Sequence, residues 1–326
     1  MFWINRICTI AFAGITLLAA AFPADAREYR AWPGDFMRMG AGARALGMGN
    51  AYSAIPGDIY SSYFNPAGLS YMQSRQMAFS FRYLSMDRMF RYFALGSPIG
   101  PDAGFALSWT NAGTDNIVGR DLNGNPTKSL EDNRNVFTFS FGKNIGDKFS
   151  LGINTKLGYW KLVDDNAKSF GFDLGFVIRP INDLALSFAA RDIMSRYTWA
   201  SKHWNKYISG ADGQSMEKED KFPFYYTGGV SYSMLNDKLL AAIMLELIEE
   251  YPLGVDAGVS YAVYKVFTIR TGVYNYTTDN ELQSGSYTAG FSLQVTGSIS
   301  LDYAFTADRF DGDDTHVIAI TMGFEE

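Results

Sequence analysis

Ser169-Phe-Gly-Phe-Asp-Leu-Gly-Phe-Val-Ile178 decides the fold class. Phe170, Phe172, Leu174, Phe176 and Ile178 fall on one side of an extended chain, and Ser169, Gly171, Asp173 and Gly175 fall on the other. Side chains alternate with period two along a strand, so the segment has one oily face and one small or polar face. Ser150–Trp160 repeats the pattern, with Leu151, Ile153, Thr155, Leu157 and Tyr159 against Ser150, Gly152, Asn154, Lys156 and Gly158. Val136–Lys143 repeats it again, with Phe137, Phe139 and Phe141 against Thr138, Ser140 and Gly142.

A soluble sandwich alternates too, with the oily faces turned to a shared core. Two features favour lipid as the oily partner. The apolar faces are rich in Phe and Tyr, as the aromatic girdles of a membrane barrel require. The opposite faces carry single charges at mid-strand, namely Arg82, Lys156, Asp173, Arg191, Asp256, Arg270 and Asp302. A hydrogen-bonded lumen accommodates such charges, so these seven are the candidate lumen-facing residues.

Fourteen segments carry the pattern: Met77–Leu84, Phe90–Leu95, Gly104–Asn111, Val136–Lys143, Ser150–Tyr159, Ser169–Ile178, Leu184–Asp192, Phe224–Tyr232, Lys238–Glu246, Pro252–Tyr261, Phe267–Tyr274, Tyr287–Gln294, Ser298–Phe305 and His316–Phe324. The number is even, as bacterial single-chain barrels prefer. Short turns alternate with longer connections, of which Thr110–Asn135 and Ile193–Pro223 are the longest. The expectation is an all-β, 14-stranded antiparallel transmembrane barrel in the cell outer membrane, surrounded by outer-membrane lipid.

Composition removes the rivals. A mean hydropathy of -0.08 does not fit a bundle of membrane helices. After the N-terminal run, no segment reaches the ~18 consecutive apolar residues that a spanning helix needs. A net charge of -6 argues against a nucleic-acid partner, which wants clustered Lys and Arg. Met1–Arg6, the apolar run Ile7–Phe22 and Ala24-Asp25-Ala26 read as a secretory signal peptide over 1–26. It holds Cys8, the single cysteine, so the mature chain is expected to have no disulfide.

Residues 27–72 do not alternate, and they precede the barrel domain at 73–326. They begin with the Gly-rich stretch Gly40–Gly49 and continue to Asp58-Ile-Tyr-Ser-Ser-Tyr-Phe64. Asp58 suits an N-cap and Asn65-Pro66 a stop, which predicts a helix of about two turns over 58–64. This segment is too polar to span lipid. Its nearby sheltered surface is the lumen or the periplasmic mouth of the barrel, where it is expected to form a short helical plug with Arg82 among the nearest charges, or a cap with no role beyond packing.

Gly42-Ala-Arg44-Ala-Leu-Gly47-Met-Gly49, followed by Asp58 and by Tyr63-Phe64-Asn65-Pro66-Ala67-Gly68-Leu69, resembles the N-terminal signature of PorV/PorQ-type proteins. Phe170–Pro180, Ala190–Ile193 and Tyr197–Trp199 are similar to the same group. These proteins belong with the FadL-like outer-membrane barrels, and the resemblance implies fourteen strands and an N-terminal plug. It departs in two respects. The plug is shorter than the hatch of FadL-like transporters, and Glu325-Glu326 follow the terminal aromatic Phe324.

Catalytic signals are missing. His203 and His316 stand outside any metal-ligand spacing, and no phosphate loop, dinucleotide fingerprint or nucleophile elbow is present. No enzyme activity and no cofactor or metal site is expected. Asp121-Leu-Asn-Gly-Asn125 reads as a turn, because Pro126 stands where a calcium loop needs Gly. Asp308–Asp314 reads as a solvated acidic loop in preference to a calcium site, and Tyr197, Trp199, Trp204 and Tyr207, placed in one long loop, as aromatics packed over the barrel mouth in preference to ones that greet an apolar ligand or a partner protein. The functional expectation is a FadL-like barrel that passes or binds a hydrophobic or amphiphilic small molecule. The alternative is a PorV-like component binding proteins of a type IX secretion or surface-attachment machinery.

Overall fold

The computed structural model describes residues 32–201, 216–249, 251–277, 285–307 and 314–324. The strands are β1 (Arg75–Tyr83), β2 (Met89–Ile99), β3 (Ala103–Arg120), β4 (Pro126–Ile145), β5 (Phe149–Leu162), β6 (Asp165–Ile181), β7 (Leu184–Ser201), β8 (Met216–Lys221), β9 (Tyr225–Met234), β10 (Leu239–Ile248), β11 (Gly254–Tyr264), β12 (Phe267–Thr277), β13 (Ser286–Gln294), β14 (Ile299–Ala307) and β15 (Thr315–Phe324). Apart from β8, neighbours in sequence pair antiparallel, with β7 beside β9, and β1 closes the ring on β15 with Arg75 opposite Phe324 and Tyr83 opposite His316. Closure leaves no unpaired edge, the condition for strands in hydrocarbon.

Fourteen strands form the wall. The fifteenth, β8, pairs only with the far half of β7, from Arg196 opposite Lys221 to Ser201 opposite Met216. The near half of β7 pairs with β9, from Leu184 opposite Tyr232 to Arg191 opposite Tyr225. β7 therefore forks between two partners, and its pairing with β6 slips in register between Phe170 and Leu174. Asp192 (φ 57°) and Met194 (φ 59°) take left-handed backbone at the fork.

The alternation is realised as read: Phe139, Leu157 and Leu174 are 51%, 56% and 52% exposed on the outer face, while Ser140, Asn154 and Asp173 are buried inside. The long connection expected over Thr110–Asn135 is instead a hairpin. β3 and β4 run 18 and 20 residues and meet at the turn Asp121–Asn125, where the Asp121 carboxylate accepts from the amides of Asn123 and Asn125. A tilted spanning strand needs only about 9–11 residues. Beyond the apolar band both faces are polar, so the period-two signal fades while backbone pairing continues. Part of 193–223, likewise expected as loop, belongs to β7 and β8. Trp204, Tyr207 and residues 308–313 lie outside the described residues.

Residues 32–72 run inside the ring. They hold a 3-10 turn at Asp35–Arg38, the helical turns α1 (Ala43–Gly47) and α2 (Ser61–Phe64), and a 3-10 stretch at Pro66–Tyr71. The helix expected over 58–64 is thus confined to its second half. Asp58 still serves its start, accepting from the Tyr60 amide at 3.0 Å.

Candidate functional site

The inner segment descends from the loop end of the barrel to the turn end. At the loop end the Trp32 ring lies 4.3 Å from that of Tyr251, and Arg134 reaches Asp35 at 3.1 Å. The Arg134 guanidinium sits over the Trp160 ring, whose neighbours Tyr197 and Trp199 complete an aromatic cap at the mouth.

Below the cap the chain is held by charged and phenolic side chains. Arg38 pairs with Glu246 at 2.5 Å, and Tyr225 donates to the same carboxylate at 2.6 Å. The carbonyl of Met37 accepts from the Tyr63 hydroxyl at 2.7 Å and from Arg191 at 3.4 Å. Arg82 donates to the Met39 carbonyl at 2.5 Å, and Tyr274 to that of Arg38 at 3.3 Å. The Arg191 guanidinium lies between the rings of Tyr63 and Tyr225. Here Met37, Tyr63, Thr110, Lys156 and Arg191 line a cavity of about 10 Å³, space for one water.

Further down the contact is backbone on backbone. Gly104, Gly142, Gly152 and Gly175 stand directly opposite one another across β3, β4, β5 and β6. Together they make a strip of wall without side chains, and Asn65–Leu69 lies on it. A Cβ on Gly104 would meet the Leu69 carbonyl at 2.2 Å, one on Gly142 the Pro66 carbonyl at 2.4 Å, and one on Gly175 the Asn65 side chain at 2.1 Å. Asn65 fixes the turn twice over: its Oδ1 accepts from the Ala67 amide at 3.1 Å, and its Nδ2 donates to the Phe176 carbonyl at 3.1 Å. Across the lumen, Gly258 and Gly272 pair with each other and receive Met48 and Gly49. Gly49 has φ 62° and its amide donates to Thr288, so the turn needs both a left-handed backbone and a bare wall.

The candidate plug residues occupy these seats. Gly42 (φ 85°) precedes α1, and a Cβ there would meet the Tyr60 ring at 2.3 Å. A Cβ on Gly47 would lie 3.3 Å from that of Arg270, and one on Gly68 2.5 Å from the Ser61 hydroxyl. Arg44 reaches across to Asp302 at 3.0 Å and donates to Ser300. Pro66 and Ala67 sit buried on the glycine strip. Asp58 accepts from the Tyr52 hydroxyl at 2.5 Å. Burial pushes its carboxyl above the usual carboxylate range, against Arg44 and the hydrogen bonds from Tyr52 and Tyr60. Arg82, expected beside the 58–64 turn, is instead bound to Met39.

Of the seven lumen-facing candidates, Arg82, Lys156, Asp173, Arg191, Asp256 and Asp302 are buried inside the wall, and Arg270 is half-buried with a hydrogen bond to Ser292. They do not form one site. Lys156 sits 2.7 Å from both Asp173 and Asp192, and the Asp192 amide donates to Asp173 at 2.8 Å. That cluster holds the fork of β7 from within. Asp302 anchors Arg44, and Arg82 and Arg191 clamp carbonyls near the mouth. The glycine strip, Arg38 and Glu246 were missed as functional positions. The signal for the strip was inward-facing glycines on four successive strands.

Every one of the fourteen wall strands thus touches the inner segment. Solved structures with the same architecture include the Pseudomonas putida toluene transporter TodX, at 12% identity over 89% of this chain and 100% of that one, TM-score 0.63. The Ralstonia pickettii toluene transporter TbuX matches at 15% identity over 88% and 99%, TM-score 0.62. A Pseudomonas aeruginosa FadL homologue matches at 16% over 87% and 98%, TM-score 0.56. The chain has the fold of the FadL-like barrels. No family model and no curated protein matches it.

Proposed function

We propose that this protein is an outer-membrane barrel that passes hydrophobic or amphiphilic small molecules, with residues 1–26 as export signal and residues 27–72 as a plug in the barrel formed by 73–326. The observation that carries the reading is the two-tier attachment of the inner segment within a wall whose outer face is apolar. Its lower tier rests backbone to backbone on the glycine strip, which resists movement. Its upper tier, 34–40, is bounded by left-handed glycines, Gly34 (φ 84°) and Gly40 (φ 81°), and held by side chains that can exchange partners. A permanent cap would need no such division. A solute entering the loop end displaces 34–40 and leaves the lower tier seated.

The toluene transporters supply the solute class by analogy of fold, and no catalytic role is assigned. The PorV-like alternative rests on the motif resemblance, and no matched structure adds support to it. The test is uptake of toluene and of a hydrophilic control into liposomes carrying the purified full chain. Toluene uptake above protein-free liposomes supports passage. No excess uptake, together with co-purification of secretion-machinery proteins from membranes, would replace this reading with the alternative.

A further inference from the structure

The fork in β7 leaves a mark on the outer face of the wall. Where β7 leaves β9 for β8, its two left-handed residues break the ladder with β6 and push Met194 outward to 77% exposure. The result is a groove of about 520 Å³ running over β5, β6 and β7. Leu157, Phe170 and Met194 form its apolar length, Gly158 and Ser169 lie in its floor, and Lys168 and Arg196 stand on its sides. The groove is held open from behind, because the buried Lys156–Asp192 ion pair pins the bulge on the lumen side.

Its height matters. Lys168 lies ten residues along β6 from Ile178, near the turn end. At a rise of about 3.3 Å per residue and a tilt of about 40°, that is about 25 Å along the bilayer normal, the height of the apolar band. Lys168 therefore sits at the interface on the loop side, with Leu157, Phe170 and Met194 in hydrocarbon just below it. Lys168 makes no ion pair with a described residue. Arg196 has Glu219 at 3.4 Å, with both side chains about half exposed, a pairing that an anion of higher charge displaces.

An apolar slot with Lys168 at the outer interface and Arg196 slightly below it, opposite Phe170, complements a ligand with an acyl chain below a phosphate. We propose that the groove binds a phosphorylated, multiply acylated glycolipid of the outer leaflet, of the lipid A type. One acyl chain lies along Leu157, Phe170 and Met194, and a phosphate sits between Lys168 and Arg196. The proposal rests on the outer-membrane part of the reading above and not on transport.

The test is native mass spectrometry of the full chain in nonionic detergent, doped with diphosphoryl lipid A or, separately, with phosphatidylglycerol. One lipid A is expected to be retained per chain, with phosphatidylglycerol retained far less. Lys168→Glu with Arg196→Glu should lower lipid A retention at least about tenfold, the factor carried by losing charge-assisted contacts. Thr198→Trp, which fills the groove without changing charge, should lower it as well, and so keeps the test open if the double variant folds poorly. Equal retention of the two lipids, or lipid A retention unchanged in Thr198→Trp, overturns the proposal. Neither outcome touches the uptake assay. Absence of the chain from fractionated outer membrane would instead remove the reading beneath it.

Discussion

Gly152 and Ala67 approach so closely that a Cβ built on Gly152 would lie 2.1 Å from the Ala67 backbone nitrogen. The wall of β5 and the turn after Asn65 are fitted backbone to backbone. Real Cβ contacts do not reach that distance, so one of the two must shift if the wall gains a methyl.

Gly152→Ala should therefore unseat the Asn65–Leu69 turn and destabilise the protein by about 1–3 kcal/mol, the usual cost of overpacking. Gly142→Ala and Gly104→Ala should behave alike. Gly228→Ala is the control, because nothing lies within 4 Å of its Cβ position. Urea unfolding in liposomes measures the difference. Equal midpoints for Gly152→Ala and Gly228→Ala would show that the strip is not a seat.

The outer face makes a second prediction. Phe139→Arg and Leu174→Arg each place a charge in hydrocarbon and should cost about 2–4 kcal/mol near mid-bilayer. Val118 is exposed too, but it lies on the part of the β3–β4 hairpin beyond the spanning length. Val118→Arg should leave the unfolding midpoint within about 0.5 kcal/mol of the wild type. A comparable loss at Val118 would mean that the band extends up the hairpin.

The outer face was legible in the amino-acid sequence and the glycine strip was not. Phe139 and Leu174 announce their direction because lipid demands apolar side chains at every second position, and that demand is local. The lumen is different. Gly175 reads as a small residue on the inner face, where a larger or charged side chain would find room in an open lumen. Its neighbour Asn65 is distant in sequence, and the 2.1 Å approach forbids any Cβ there. The same holds for Arg38 and Glu246, which are single charges until the chain brings them together. The extension of β3 past Asn111 was hidden for the opposite reason. Water on both faces removes the pattern while Asn111, Asn133 and Asn135 hydrogen-bond one another across the hairpin.

Asp58 carries a pH prediction. Burial raises its carboxyl pKa above the unfolded value. The folded state therefore holds the proton more tightly, and this contribution to stability is complete below the unfolded pKa and lost as pH rises through the folded one. Asp58→Asn mimics the protonated group. Relative to the wild type, it should be more stable at neutral pH, with the advantage shrinking on acidification into the ordinary carboxylate range. Hydrogen exchange at the Tyr60 and Ser61 amides reads this locally. A variant whose disadvantage is greatest at neutral pH would show that the charged form of Asp58 is the one the fold prefers.

The Arg38–Glu246 pair carries the prediction closest to mechanism. Glu246 is buried on β10, and its two visible partners are Arg38 and the Tyr225 hydroxyl. Arg38→Met leaves a buried carboxylate half-compensated, a change that typically costs about 3–5 kcal/mol. The cost falls on the upper tier, because 34–40 can swing away at Gly34 and Gly40 while Asn65–Leu69 stays on its strip. Arg38→Met should then raise single-channel conductance and toluene uptake while protease resistance below Gly40 is retained. Arg38→Met with Glu246→Leu removes both charges and should return stability and the closed state toward the wild type. A destabilised Arg38→Met that remains as closed as the wild type would assign the pair to packing alone. The moving part would then have to be sought in the lower tier, where Arg44 and Asp302 hold the corresponding bridge.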